Sequence, residues 1–364
     1  MSLAQQICKM KSSIFDPRKI TKADTNCQIG VVQTAMQNDF LQYMRHLYDE
    51  TARQMRFQGP IEDFYDWKLK ARSKIIELLQ IADLPSFTEN IFETEFEILS
   101  EKQLPNYQLL KVQYQTLPSL VVSAYLLIPT QTDQPKPTIL CPPGHGTGID
   151  QVIFESKSSY HRYPEKLAEA GYVAFVPEHI SFGYRSNPEP YHGCRFDHEA
   201  LSLLGSTVIG YRMWELQRAI DLLMNLPFVD NDRIGCAGLS LGGEMTLYLA
   251  ACDERIQVAC IACFLTSFQS TFLKELHCTC GYVPQMAKYF EHADIATLIS
   301  PRPLMIQAGD VDPSFLASDA TQAYQELSYH YQALGAKDKI RLNIFSGGHE
   351  FDVQPAIEWF DQWL

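Results

Sequence analysis

The sequence predicts an α/β protein: a mostly parallel central sheet with helices on both faces, preceded by a helical N-terminal segment. Three observations carry this. From about Glu93 onward, apolar strand-like runs alternate with stretches of helical periodicity, the pattern of a parallel sheet covered by helices. Residues 1 to 90 show helical periodicity and almost no strand pattern. The chain has 364 residues, 46% of them hydrophobic and 20% charged, so it is long enough to bury a sizeable core and has the composition of a globular protein. Two regions are therefore expected: a helical segment over 1–90 that packs on or caps the core, and an α/β domain over 91–364.

In the first region Phe40, Leu41, Met44, Leu47, Tyr48 and Met55 fall on one helical face, and Gly59-Pro60 interrupts the pattern. Asp66 is placed to cap a second helix carrying Leu69, Ile75, Ile76, Leu78 and Leu79, since a short acidic side chain satisfies the free N–H groups of a first turn. Strands then follow at Tyr107–Tyr114 and Leu120–Ile128, before a loop with Pro129, Pro135 and Pro137. The alternating units begin with a strand at Thr138–Cys141, a helix at Tyr160–Ala170, a strand at Tyr172–Val176 and a helix at Gly210–Leu226. They continue with strands at Ile234–Ala237, Ile256–Phe264, Leu304–Gln307 and Ile340–Phe345. Helices are expected after Ser240, at Asp319–Leu334 and at the end of the chain.

The segment DRIGCAGLSLGGEMTLYLA changes from strand to helix at a serine flanked by glycines. Gly238 and Gly242 allow a tight turn where a Cβ would clash, which lifts Ser240 to its apex. The pattern G-x-S-x-G alone is weak. Its context makes it informative, because ligands bind at the loops leaving the carboxyl ends of parallel strands. Four such loops hold reactive groups: PPGHGTG, the Ser240 turn, AGDVDPSF and SGGHEF. They present serine, aspartate and histidine in that chain order.

Each group has a chemical role. A serine hydroxyl needs a base to take its proton, and His349 in a glycine-flanked loop supplies one. The imidazole needs a carboxylate to fix its tautomer. Asp310 and Asp312 both occupy the right loop, and Pro313 favours Asp312 by biasing it toward extended backbone. The negative oxygen formed on attack needs fixed donors. Leu241 N–H, at a helix start, is one; His145 N–H is the second, with Gly144 as its neighbour. Glu178 and His179, with Tyr184 and Arg185, follow another strand, where they either contact substrate or form a solvated charged loop. Arg212, Glu215, Arg218 and Asp221 are spaced for ion pairs along a helix. Glu244, one turn beyond Ser240, is placed either to sense the site or to complement the positive start of its helix.

The formal net charge of -13 disfavours nucleic acid and anionic membrane surfaces, so a small-molecule partner is expected, with a homo-oligomer open. The N-terminus lacks the apolar run of a signal peptide and no stretch approaches a membrane span; a cytoplasmic protein is expected. Of ten cysteines, Cys141, Cys236, Cys260 and Cys263 lie in apolar runs and read as free thiols. His277-Cys278-Thr279-Cys280 has metal-ligand chemistry, but no second pair stands at zinc-finger spacing. No metal and no cofactor are expected.

At these residues the chain resembles the α/β-hydrolase superfamily, in the branch similar to dienelactone hydrolases and acetyl xylan esterases. The resemblance covers roughly 93–364 and is strongest from LLGSTVIGYRMWELQRAIDLLMNLPFVDNDRIGCAGLSLGGEMTLYLAACDERI, with CGYVPQMAKYF, ISPRPLMIQAGDVDP and FSGGHEF also matching. It implies carboxylic ester hydrolysis without a cofactor, through an acyl-serine. It also points to Asp312 as the acid, from the pattern G-x-x-D-P. The chain departs from dienelactone hydrolases in having serine rather than cysteine at 240. It departs from the sugar deacetylases in having SFGYR and Leu241 in place of an R-G-Q motif and a glutamine. An esterase for short acyl groups is the expectation. A thioesterase or serine peptidase would use the same triad, and a binding protein could retain the fold without turnover.

Overall fold

The computed structural model describes residues 40–82, 84, 96–130, 134–274 and 277–364. The chain divides into two units, Met1–Thr51 and Ala52–Leu364. In the first, residues 40–49 are helical. The helical expectation for 1–39 and 85–90 lies outside the described residues. Met55, expected on the face of that helix, stands beyond its end in a loop. Its N–H donates to the Tyr289 carbonyl at 2.9 Å and its carbonyl accepts the Trp67 indole N–H at 2.8 Å, long-range bonds that outcompete local periodicity.

The second unit is built on nine strands: β1 (Phe96–Gln103), β2 (Tyr107–Leu117), β3 (Leu120–Pro129), β4 (Lys136–Leu140), β5 (Val173–Pro177), β6 (Val229–Leu239), β7 (Ile256–Ala262), β8 (Leu304–Gly309) and β9 (Ile340–Phe345). They form one sheet in the order β1-β2-β3-β5-β4-β6-β7-β8-β9. β1, β2, β3 and β5 pair antiparallel, and from β5 through β4 to β9 every pairing is parallel. This is the mainly parallel, helix-flanked sheet expected. β6 begins at Val229 rather than Ile234 because its first residue pairs with Lys136 of β4. Short helices at Ile149–Phe154, Cys194–Leu203 and His292–Thr297 were not anticipated. The last is held by a capping box between Glu291 and Asp294, a local device built here from two acidic residues rather than the usual serine or threonine with glutamate.

The strand order reverses at β4, from which the chain leaves first to β5 on one side and later to β6 on the other. A crevice opens at such a switch point beyond the carboxyl ends of the strands. The helix Leu241–Cys252 follows β6 and is buried along its whole length. Apart from Glu244 and Thr246 its sequence is apolar on every side, as a helix enclosed by sheet and helices requires. The helix Phe64–Leu79 docks at the far end of it: Arg72 Nε donates to the Ala251 carbonyl at 3.3 Å, and the Lys68 ammonium donates to the Ser300 carbonyl at 2.9 Å. Asp66 lies in the first turn of that helix, while Asp63 takes the capping position. Among the described residues no helix is long and apolar enough to cross a membrane.

Candidate active site

Ser240 occupies the joint between β6 and the helix Leu241–Cys252 with φ 61° and ψ -122°. A non-glycine residue holds such a conformation only where its surroundings over-determine it. Those surroundings are close. The Ser240 N–H donates to the Ala262 carbonyl at 3.0 Å, and the Glu244 N–H donates to the Ser240 carbonyl at 2.9 Å. A Cβ on Gly238 would lie 2.3 Å from the Gly242 backbone, and one on Gly242 would lie 2.2 Å from the Pro142 carbonyl oxygen. Both glycines are therefore demanded by backbone approach, and the second brings the PPGHG loop against the serine turn.

That approach places His145, Ser240 and Leu241 around one cleft, whose other walls are Glu244, Phe264, His277, Cys278, Cys280, Gly281 and Phe315. Leu241 opens its helix, so its N–H has no intrahelical acceptor. Of the two neighbouring donors weighed in PPGHG, the Gly144 N–H is already engaged by the Tyr160 hydroxyl at 2.8 Å. That hydroxyl in turn donates to Thr147 Oγ1 at 3.1 Å, so Tyr160 shapes the loop from beneath. No sequence signal distinguished this tyrosine from its neighbours.

Asp312 and His349, which stand after β8 and β9, meet at 2.7 Å between Oδ2 and Nδ1. A carboxylate only accepts, so Nδ1 carries the proton and Nε2 is the nitrogen left to receive one. The other oxygen of Asp312 accepts from the N–H groups of Ser314 at 2.9 Å and Phe315 at 3.1 Å. Burial pushes the Asp312 carboxyl up, but His349 and the two N–H groups outweigh it and hold the group below its ordinary value. Asp310 is exposed and accepts from the Gly347 N–H at 3.0 Å instead. The Phe315 ring stacks on His349 with centroids 5.5 Å apart and planes at 22°. Because Phe315 also lines the cleft with Ser240, it joins the two halves of the site.

Glu178 and His179 are both buried, at 1% and 2% exposure, and neither lines the cleft around Ser240. Glu178 accepts from the Ile149 N–H at 3.0 Å and the Tyr184 N–H at 3.1 Å. Burial pushes its carboxyl up to about 7, against the pull of those donors. Gly183, at φ 52°, passes so close that a Cβ there would lie 2.3 Å from the carboxylate. His179 is hydrogen-bonded to the Pro143 backbone, and burial beside Arg212 and Arg185 keeps its imidazole neutral, well below its ordinary pKa. Arg185 forms a buried bidentate pair with Glu215, both contacts at 2.7 Å. Arg218 and Asp221 pair along the helix at 2.7 Å, as their spacing suggests, but Arg212 does not pair with Glu215. It donates instead to the Ile180 carbonyl at 2.9 Å and to Cys280 Sγ at 3.3 Å. Glu244 lines the cleft, and burial pushes its carboxyl well above the ordinary range.

Beside the serine, four soft donors converge. His145 Nε2 lies 3.2 Å from Cys194 Sγ, which lies 3.0 Å from Cys278 Sγ, itself 3.5 Å from Cys280 Sγ. The expectation of no metal site considered only local spacing. Here the fold supplies two partners to Cys278 and Cys280 from distant segments. Cys141, Cys236, Cys260 and Cys263 are buried free thiols. Cys263 donates to the Glu350 carbonyl at 3.4 Å and so braces the loop that carries His349.

The mainly parallel, helix-flanked sheet and its strand order are those of an α/β-hydrolase fold. Residues 23–344 match the Abhydrolase family, and the chain belongs to it. It is 28% identical over 253 residues to YtaP of Bacillus subtilis (strain 168), a protein provisionally named a hydrolase, covering 66% of this chain and 83% of that protein. Among solved structures it is similar to a protein of Bacteroides fragilis NCTC 9343 provisionally named an acetyl xylan esterase. That match has a TM-score of 0.71 and 19% identity, and covers 83% of this chain and 81% of the other. The acetyl xylan esterase from Paenibacillus sp. R4 matches with a TM-score of 0.59 and 17% identity over 88% of this chain and 99% of that one. At these identities the solved structures speak to the fold.

Proposed function

We propose that the protein is a serine hydrolase that cleaves carboxylic esters with short acyl groups. The observation that carries this is the conjunction of a strained Ser240 with a buried Asp312 bonded to His349 at 2.7 Å, the two bridged by Phe315. Strain at a turn is maintained for a purpose when it exposes a reactive atom. In this reading Ser240 Oγ attacks the ester carbonyl while His349 Nε2 takes its proton. The resulting oxyanion is held by the N–H groups of Leu241 and His145. The tetrahedral species collapses as His349 returns the proton to the leaving alcohol, and water then releases the acid from the acyl-serine by the same steps. Asp312 keeps its negative charge throughout and stabilises the imidazolium.

The cleft walls favour small acyl groups. Phe264, Phe315 and His277 line the cleft with Ser240, and Phe264 packs its ring against both Phe272 and Phe315. Two of the similar structures are named acetyl xylan esterases, which agrees with a small acyl group, while others are named a methylesterase and glucuronoyl esterases. The substrate is thus a small-molecule ester. The test is hydrolysis of nitrophenyl esters of increasing acyl length. A kcat/KM that falls steeply beyond acetate or propionate supports the reading. Equal turnover of long acyl chains would overturn the short-acyl part of it.

A further inference from the structure

We propose that His145, Cys194, Cys278 and Cys280 bind a zinc ion next to the serine turn. Their four ligand atoms all lie within 4.8 Å of one another, and the three contacts along the chain of donors measure 3.2, 3.0 and 3.5 Å. With Zn–S near 2.3 Å and Zn–N near 2.0–2.1 Å, a tetrahedral site has edges of about 3.8 Å between sulfurs and about 3.5 Å between nitrogen and sulfur. To take that shape the cluster opens by about 0.3 Å at the His145–Cys194 and Cys278–Cys280 contacts and by about 0.8 Å at the Cys194–Cys278 contact. Three thiolates and one imidazole are a recurrent structural zinc set, and soft sulfur ligands in tetrahedral array select zinc over harder cations.

The ligands come from three separate segments. His145 stands in the loop after β4, Cys194 is the first residue of the helix Cys194–Leu203, and Cys278 and Cys280 flank Thr279 in a single turn. Nothing in local structure requires these segments to bring sulfur together.

A second observation is independent of the cysteines. Arg212 has 0% exposure, and among the described residues no carboxylate pairs with it within the 4.0 Å of an ion pair. One guanidinium nitrogen instead points at Cys280 Sγ from 3.3 Å, and the guanidinium carbon lies 4.8 Å from the Phe182 ring centroid. A buried cation needs a compensating anion. A zinc ion with three thiolates carries one net negative charge, which Arg212 cancels. Glu244, buried on the same cleft, acts on Arg212 through space without an ion-pair contact, whereas the Cys280 sulfur lies 3.3 Å from the guanidinium and is the nearer counter-charge. Binding releases the three thiol protons to solvent as the zinc–sulfur bonds form.

The ion would tie the turn at 278–280 and the helix at 194 to the loop that carries the His145 N–H. That consequence for catalysis rests on the hydrolase reading; the binding itself does not. The experiment is elemental analysis of the full-length chain, grown with added zinc, purified without chelator and dialysed, followed by cobalt(II) substitution. We expect about one zinc per chain, and a cobalt form with intense visible bands and thiolate charge transfer in the near ultraviolet, as tetrahedral sulfur ligation gives. Cys278→Ser and Cys194→Ser should each lower zinc content at least roughly tenfold, while Cys252→Ser and Ser240→Ala retain it. Wild-type protein with under about one zinc per ten chains and no cobalt bands overturns the proposal. So does an intact mass lower by two hydrogens with a Cys194–Cys278 disulfide in the peptide map. A zinc-loaded protein without esterase activity would count against the hydrolase reading alone, and an active protein without zinc against this proposal alone.

Discussion

The carboxylate of Asp312 lies 2.7 Å from Nδ1 of His349, whereas Asp310, two residues earlier in the same loop, faces the Gly347 N–H. If the imidazole works as a base, its orientation depends on Asp312. Asp312→Asn should lower kcat on nitrophenyl acetate by on the order of 1,000- to 10,000-fold, because the amide favours the wrong tautomer. Asp310→Asn should lower it by less than about tenfold, since it touches only the rim of the loop. Steady-state kinetics of the two variants check this, and comparable losses in both would assign the acid wrongly.

Tyr160 holds the PPGHG loop through the Gly144 N–H at 2.8 Å. Tyr160→Phe leaves that buried donor unsatisfied and should cost roughly 1–3 kcal/mol of stability. It should also lower kcat more than it changes KM, because the neighbouring His145 N–H is displaced from the developing oxyanion. Denaturant titration and kinetics on the same preparation separate the two effects. An unchanged kcat would remove Tyr160 from the support of the site.

Glu178 carries a pH signature. Its carboxyl is raised from 4.5 to about 7 by burial, so between those values the unfolded chain ionises the group and the folded chain does not. The folded state then holds more protons, and stability falls as pH rises through this window. The group's full share, roughly 3 kcal/mol by the size of the shift, is present below pH 4.5 and is gone above about 7. In Glu178→Gln the stability difference from wild type should therefore change across this window, moving in favour of the variant as pH rises. Urea titrations at several pH values measure it, and a constant difference would show that Glu178 ionises normally.

Arg185 and Glu215 are 9% and 5% exposed at their side chains. Removing one partner strands a buried charge, so Arg185→Ala should cost about 3–5 kcal/mol. The double variant Arg185→Met/Glu215→Leu should recover much of that loss. Additive losses in the double variant would mean that the two charges are not coupled.

The sheet was legible because its parallel strands are buried on both faces and read as apolar runs. β8, buried at every position, covers the expected Leu304–Gln307, and the edge strand β9, largely half-buried or exposed, still falls at Ile340–Phe345. The serine turn was legible because strand, glycine, serine and helix are contiguous. What could not be read came from distance. Cys194 and His145 are separated in sequence from Cys278 and Cys280, and no spacing rule links four ligands drawn from three segments. Glu178 and Arg185 looked like a polar loop open to substrate. Their burial follows from Gly183 and Glu215, whose approach is a property of the folded chain. Arg212 and Glu215 share helical spacing, yet each finds a partner on another element, since spacing alone says nothing of what packs above the helix.

The central claim is that Ser240 is an activated nucleophile. The most direct measurement is covalent labelling by a fluorophosphonate probe, read by intact mass and peptide mapping. The expected result is one adduct per chain on Ser240, absent in Ser240→Ala and slowed by at least about 100-fold in Asp312→Asn. A wild-type chain that is folded by circular dichroism yet takes up no probe, or labels equally in Ser240→Ala, would contradict the claim.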